Sequence, residues 1–312
     1  MYNMDKLFES AASKGHVCVG LDTSPGYVPP AERRRASSDA EAVLAFNRAI
    51  IEATADYAAC YKIQIAYYEA LGRTGLDAYS KTLLAVREKN ALAIADIKRG
   101  DIADTALQYA KAHFEGDFEA DFVTLSPYMG MDSIEPWLNY AEKSGKGAFV
   151  LLRTSNRGMQ DFQYLELNEA SGLKPRRLYH AVGDKLALLA EKHCGKYGYG
   201  VFGAVAGISE TEREEAAAIR SNYKNLFFLI PGYGAQGGAA EDAAMLLREA
   251  NGGVVNASRS ILKAWAAKAA AEQLPDLTDK KYSNEFASDA AREAVISMRD
   301  AIRKAARGNQ EI

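Results

Sequence analysis

The chemistry this chain could perform is most visible at the end of one apolar run, ALAIADIK (91–98), which continues as RGDIADTA to residue 106. Asp96 and Lys98 are two residues apart, so on a strand they face the same side. Asp101 and Thr105 follow where the next helix should open. Neighbouring carboxylates favour the protonated form of a lysine. Such a lysine suits a general acid or an electrostatic clamp better than a neutral amine attacking a carbonyl. A solvated Asp–Lys ion pair at a strand end has the same pattern, so the stretch needs company before it reads as a site. Two other groups supply it. Asp22 ends the run HVCVGLD (16–22) and Lys62 interrupts CYKIQIA (60–66). Burying either charge unpaired would be costly, so each requires a partner or a ligand.

Anion-binding features lie further along. LFFLIPGYGAQGG (226–238) carries Pro231, Gly232, Gly234, Gly237 and Gly238 just before an expected helix, where backbone N–H groups can accept an anion. Gln236 adds a side-chain donor. The run GVVNAS (253–258) is followed at once by Arg259. GAFVLLRT (147–154) ends in Thr154 and is followed by Ser155 and Asn156, side chains able to read the hydrogen-bonding edges of a ring.

Positioning these residues requires a frame. With DFVTL (121–125) and GYGVFGAV (198–205), eight short apolar runs alternate with Ala-, Glu-, Lys- and Leu-rich stretches such as 39–58 and 209–222. Such runs suit strands buried on both faces, and the stretches between them favour helix. Ser209 and Glu212 form a capping-box pattern. The alternation predicts an α/β protein, a (β/α)8 TIM barrel, in 312 residues. An open doubly wound sheet has the same alternation. Barrel active sites gather at the carboxyl ends of the strands, and the loops after strands seven and eight often hold phosphate. We expect one domain over 1–312, with the barrel core about 16–270 and a C-terminal helical extension over 271–312 ending in a frayed tail. Residues 23–38, with Pro29, Pro30 and the basic triplet Arg33 to Arg35, read as a long polar loop.

Composition narrows the functional classes. A formal net charge of −3, from 38 basic and 41 acidic residues, gives no general attraction to nucleic acid or anionic membrane. An anionic substrate must then be held by a local cluster. Cys18, Cys60 and Cys194 are scattered, and neither they nor the four histidines have metal-type spacing. The first residues, MYNMDKLFESAASKG, lack the apolar region of a signal peptide, and no run approaches a membrane span. The expectation is a cytoplasmic protein without a metal.

Taken in order, Asp22, Lys62, the D-x-K-x-x-D-I-x-x-T stretch from Asp96 to Thr105, Ser155, the P-G-x-G-A-Q-G-G loop and Arg259 resemble the orotidine 5'-phosphate decarboxylase family. Within it, the chain is similar to members with PYMGMDS (127–133) after strand four and TSN (154–156) after strand five. The resemblance spans about residues 16–262. It implies decarboxylation of orotidine 5'-phosphate to UMP, the last step of pyrimidine nucleotide synthesis, without a cofactor. Lys98 would protonate C6 of the pyrimidine, and Asp96 would sit near the scissile carboxylate. Lys62 and Asp101 would complete a Lys/Asp network, with Asp101, Ile102 and Thr105 reaching into the neighbouring site of a homodimer. Asp22 would contact the ribose, Ser155 the pyrimidine between Thr154 and Asn156, and Gln236 and Arg259 the phosphate beside Pro231 and Gly234. Arg157 stands where the subgroup commonly has proline, and the 23–38 loop and the C-terminal extension lie outside the motifs.

Three other readings stay open on the residues alone. Related barrels share D-x-K-x-x-D but act on sugar phosphates through Mg²⁺, using a glutamate where this chain has Lys62. A Schiff-base aldolase would need a neutral lysine. A non-catalytic nucleotide-binding barrel would need neither Asp96 nor Lys98.

Overall fold

The computed structural model describes residues 1–167, 176–207, 213–234, 239–271 and 281–308. Eight parallel strands close into a barrel: β1 (Val17–Gly20), β2 (Cys60–Gln64), β3 (Leu92–Arg99), β4 (Phe122–Leu125), β5 (Gly147–Arg153), β8 (Phe202–Ala206), β9 (Phe228–Ile230) and β10 (Gly253–Ala257). β6 (Glu166–Leu167) and β7 (Arg176–Arg177) form a separate antiparallel pair beyond β5. Each of the eight apolar runs marks one barrel strand, with β3 and β8 each running one residue past the end of its run. The pairing of β1 with β10 closes the sheet and decides between barrel and open sheet.

Alternation along the strands divides the core. Inward residues such as Cys18, Cys60, Ile94, Phe122, Phe149 and Phe227 fill the barrel, while the opposite faces pack under the helices. The phenylalanines dictate glycine beside them. A Cβ at Gly147 would lie 2.6 Å from the Phe122 ring, and one at Gly203 would lie 2.3 Å from the Phe227 carbonyl oxygen as well as 2.9 Å from Phe149 Cε1. Below this layer the helix Asn3–Lys14 closes the amino-terminal mouth, inserting Met4, Leu7 and Ala11. It hydrogen-bonds to residues that precede three strands: Asn3 Nδ2 to Asp121 Oδ1 (3.1 Å), Ser10 Oγ to the Ala59 carbonyl (2.8 Å), and Asn251 Nδ2 to the Phe8 carbonyl (3.2 Å). With one mouth sealed, the carboxyl ends of the strands are the face left for a site.

Two expectations need correction. The 23–38 stretch is not an irregular loop throughout: a 3-10 turn spans Pro25–Tyr27 and a helix spans Pro30–Arg35. Proline fits there because the first turn of a helix needs no N–H from it. The basic triplet is partly neutralised, Arg33 pairing with Asp39 and Arg35 with Glu32. The helix expected over 39–58 ends at Thr54. The C-terminal helix Asn284–Gly308 packs along the Asp39–Thr54 helix. Ser209, Glu212 and the tail after 308 lie outside the described residues. Among those described, no helix is long and apolar enough to cross a membrane.

Two histidines tie this packing to pH. Burial, with Arg303 nearby, pushes His16 down to about 4, and burial with Arg99 does the same for His113. Between pH 6.5 and 4 the unfolded chain binds protons that the folded chain refuses, so stability is full above that window and falls as pH drops through it. Each histidine contributes at most about 3 kcal/mol. A urea midpoint that falls between pH 6.5 and 4, and falls less for His113→Gln, is the expected result. Equal pH dependence in the variant would remove His113 from the account.

Candidate active site

At the carboxyl ends of β1, β2, β3 and β4 one carboxylate organises the surroundings. Asp96 is 5% exposed and accepts four hydrogen bonds. Lys98 Nζ (2.6 Å) and Thr124 Oγ1 (2.8 Å) donate to Oδ1, and Lys62 Nζ (2.9 Å) and Gln64 Nε2 (3.0 Å) donate to Oδ2. Burial alone would raise the Asp96 carboxyl, but the Lys62 and Lys98 charges override it and hold it well below the usual carboxylate range. Lys62 is also buried. Burial would lower its ammonium, and Asp22 and Asp96 together push it up instead. Its other hydrogen bond goes to Asp22 Oδ1 (2.9 Å), while Ser258 Oγ donates to Asp22 Oδ2 (2.9 Å). The partner that Lys62 required is therefore a pair of carboxylates from neighbouring strands.

Lys98 reaches Asp96 by an irregular route. Its backbone lies in the left-handed region (φ 45°), and the register of β3 against β4 shifts between Ala95 and Arg99. Residues with side chains rarely adopt this conformation, and it persists where surrounding contacts hold it. Here Thr124 Oγ1 accepts from both Ile97 N and Lys98 N at 3.0 Å. Simple strand alternation, which predicted that Asp96 and Lys98 share a face, gives the right neighbours through the wrong geometry.

Lys62, Asp96 and Lys98 open onto a cavity of about 240 Å³. Thr154, Ser155 and Asn156 form part of its wall, with Pro231, Leu151 and Leu229 supplying apolar surface. Gly234 and Arg259 lie together on a second, more open groove of about 620 Å³. Arg259 has no anionic partner among the described residues. Gln236 lies outside them.

Asp101, Ile102 and Thr105 are not brought into this cavity. Asp101 Oδ1 accepts from Ile102 N (2.8 Å), while Ile102 and Thr105 are exposed. The expected clustering of Lys98 between Asp96 and Asp101 is thus absent within one chain; Lys62, between Asp22 and Asp96, is the lysine flanked by two carboxylates.

The sequence model of the Orotidine 5'-phosphate decarboxylase / HUMPS family matches residues 15–274. The chain belongs to this family. It is 53% identical over 301 residues to the orotidine 5'-phosphate decarboxylase of Clostridium perfringens strain SM101, covering 96% of this chain and 98% of that one. The Clostridium acetobutylicum enzyme of the same name is 52% identical, covering 96% and 99%. Among solved structures, Leishmania donovani OMP decarboxylase superposes with a TM-score of 0.69 at 31% identity, covering 96% of this chain and all of that one (100%).

Three members of the network escaped the sequence reading. Gln64 shares a strand face with Lys62, a signal that the two-residue spacing offered. Thr124 and Ser258 had weaker signals, each a hydroxyl at the end of an apolar run. Arg157 opens the 3-10 turn Arg157–Asp161 and is exposed, a first-turn position that proline also tolerates.

Proposed function

We propose that this chain catalyses decarboxylation of orotidine 5'-phosphate to UMP, with Lys98 as the proton donor to C6. The observation that carries the reading is the fully bonded Asp96 carboxylate, held between two ammonium groups at the edge of a cavity of ring-binding size. Loss of CO₂ leaves a C6 lone pair in the ring plane, where the π-system cannot delocalise it. The protein must then supply stabilisation toward the upper end of the usual ~8–23 kcal/mol. Repulsion between Asp96 and the substrate carboxylate accounts for part of it. Two such charges ~4 Å apart are worth about 4 kcal/mol at an effective dielectric near 20. The larger share falls to the Lys98 ammonium, which is placed before the reaction, stabilises the developing carbanion and then gives it a proton. Asp96 holds that ammonium in position, and Lys62 keeps Asp96 ionised.

The remaining residues divide by what they can touch. Ser155, with Thr154 and Asn156, reads the pyrimidine; Asp22 takes the ribose; Arg259, the Gly234 backbone, Pro231 and Gln236 surround the phosphate. Binding the phosphate remote from the reacting bond helps hold the ring against Lys98. We assign no metal to the reaction, because the Lys62 ammonium occupies the position between Asp22 and Asp96 where a divalent cation would otherwise be held.

We further infer a homodimer with shared sites. Asp101, Ile102 and Thr105 lie at the rim outside their own cavity. Ile102 (42% exposed), Met129 (50%) and Tyr128 (83%), on the loops after β3 and β4, offer apolar surface for a second copy. The packing of the Asn284–Gly308 helix on the helix after β1 favours one domain. Three free cysteines suit a reducing cytoplasm.

The test is the ultraviolet absorbance of orotidine 5'-phosphate mixed with the purified chain and EDTA. Loss of the orotate chromophore with UMP formed is expected. A well-folded chain giving no turnover in EDTA, but turning over a sugar phosphate once Mg²⁺ is restored, would overturn the assignment.

A further inference from the structure

Gln163 lies on the 3-10 turn's exit, outside the cavity, yet it grips the wall of that cavity with both ends of its amide. Its Oε1 accepts from Thr154 N (2.8 Å) and its Nε2 donates to Thr154 Oγ1 (2.9 Å). Thr154 Oγ1 in turn donates to Asn156 Oδ1 (2.7 Å). The polarity of this chain has one solution. A backbone N–H can only donate, so Gln163 must present its oxygen to Thr154 N and its NH₂ to the Thr154 hydroxyl. That hydroxyl then has its proton free to give onward, and Asn156 must receive it with its oxygen. A single peptide N–H thereby dictates which way round two side-chain amides stand.

The segment that carries Gln163 is itself anchored. Gln163 N donates to the Met159 carbonyl (2.8 Å), and Tyr179 N donates to the Gln163 carbonyl (3.2 Å). Next to it, the Tyr164 hydroxyl bonds to Glu215 and accepts from Arg153 Nη2 (3.1 Å). Arg153 is 2% exposed and also donates to the Thr154 and Gly207 carbonyls (both 3.3 Å). On the other side Ser155 is pressed against Gly207, where an added Cβ would come within 2.6 Å of Ser155 N. Between these two restraints Ser155, whose hydroxyl has no partner among the described residues, lines the cavity beside Asn156.

We propose that Gln163 is a positioning residue for pyrimidine recognition, setting the location of Ser155 and the donor–acceptor sense of Asn156 without touching the substrate. This rests on the reading that the cavity takes a pyrimidine nucleotide. A wall with a fixed sense distinguishes a uracil edge, with its O4 acceptor and N3–H donor, from a cytosine edge in which both are reversed. A site built to pair with one pattern leaves its own polar groups unpaired against the other.

The experiment compares competitive inhibition by UMP and CMP for the full chain and for Gln163→Ala, with kcat and KM for orotidine 5'-phosphate measured alongside. We expect Gln163→Ala to raise KM and the UMP inhibition constant about tenfold, and the CMP constant by less than twofold, so that discrimination between them shrinks. Gln163→Glu keeps the acceptor for Thr154 N but loses the donor, so the Thr154 proton turns toward residue 163. It should lose discrimination while retaining the melting temperature. Equal weakening of UMP and CMP, or a lower melting temperature with an unchanged UMP-to-CMP ratio, overturns the proposal alone. A wild-type chain that neither converts orotidine 5'-phosphate nor binds UMP overturns the functional reading and this proposal with it.

Discussion

Lys98→Ala should lower kcat/KM for orotidine 5'-phosphate by about 10⁴-fold or more, while UMP binds within a few-fold of wild type. General acid catalysis contributes typically about 10²–10⁴-fold, and a preorganised charge at a developing anion adds about 10²–10³. Both are removed at once, so the loss exceeds either alone. The fold should tolerate the change. The Lys98 side chain is 46% exposed, and Asp96 keeps Lys62, Gln64 and Thr124 as donors. Asp96→Asn separates the two sources of rate. It removes repulsion against the substrate carboxylate but leaves an oxygen for Lys98. If carbanion stabilisation dominates, exchange of the C6 proton of UMP with D₂O, which has no carboxylate to repel, suffers far less in Asp96→Asn than in Lys98→Ala. Equal losses in that exchange would mean that the proposed division is wrong.

The second large effect belongs to Lys62→Met, and it should appear in stability before activity. Lys62 and Asp96 are each 5% exposed, and the ammonium bonds to Asp96 and Asp22 at 2.9 Å each. Removing one partner of a buried ion pair costs about 3–5 kcal/mol, because the remaining charge is buried without compensation. Here two carboxylates are left facing each other. At about 1.5 °C per kcal/mol for 312 residues, the melting temperature should fall by roughly 5–8 °C. Asp96 loses the larger of the two charges holding its carboxyl down, so that carboxyl climbs back toward the ordinary range. The stability deficit should therefore narrow on acidification, as protonation relieves the repulsion. A melting temperature within about 2 °C of wild type at neutral pH would show that water already shields this pair.

Much of this was legible before any coordinates, for reasons that differ residue by residue. The barrel strands announce themselves because a strand covered on both faces must be apolar along its length. Asp22 and Lys62 stand out for the same reason: in such runs a charge is conspicuous. Their pairing was not legible. Cys18 sits opposite Cys60, and Gly20 opposite Lys62, only because β1 and β2 are neighbours in that register. That register brings Asp22 to Lys62 across 40 residues of sequence.

Other features depended on the folded chain more completely. No local pattern marks Lys98 for a left-handed backbone; the hydroxyl of Thr124, from the next strand, holds it there. The D-x-K-x-x-D spacing suggested one cluster, but the turn after β3 sends Asp101 and Ile102 outward while Asp96 and Lys98 stay at the cavity. Gln163 carried no signal at all, since its importance lies in which atom of Thr154 it meets. The amino-acid sequence by itself determined the element types, the alternating α/β class and the identity of the chemically able residues, because composition and periodicity are local. Closure of the sheet, the choice of partner for each charge and the fixed sense of the hydrogen-bonded wall came from tertiary structure, because each depends on atoms brought together across strands that the sequence holds apart.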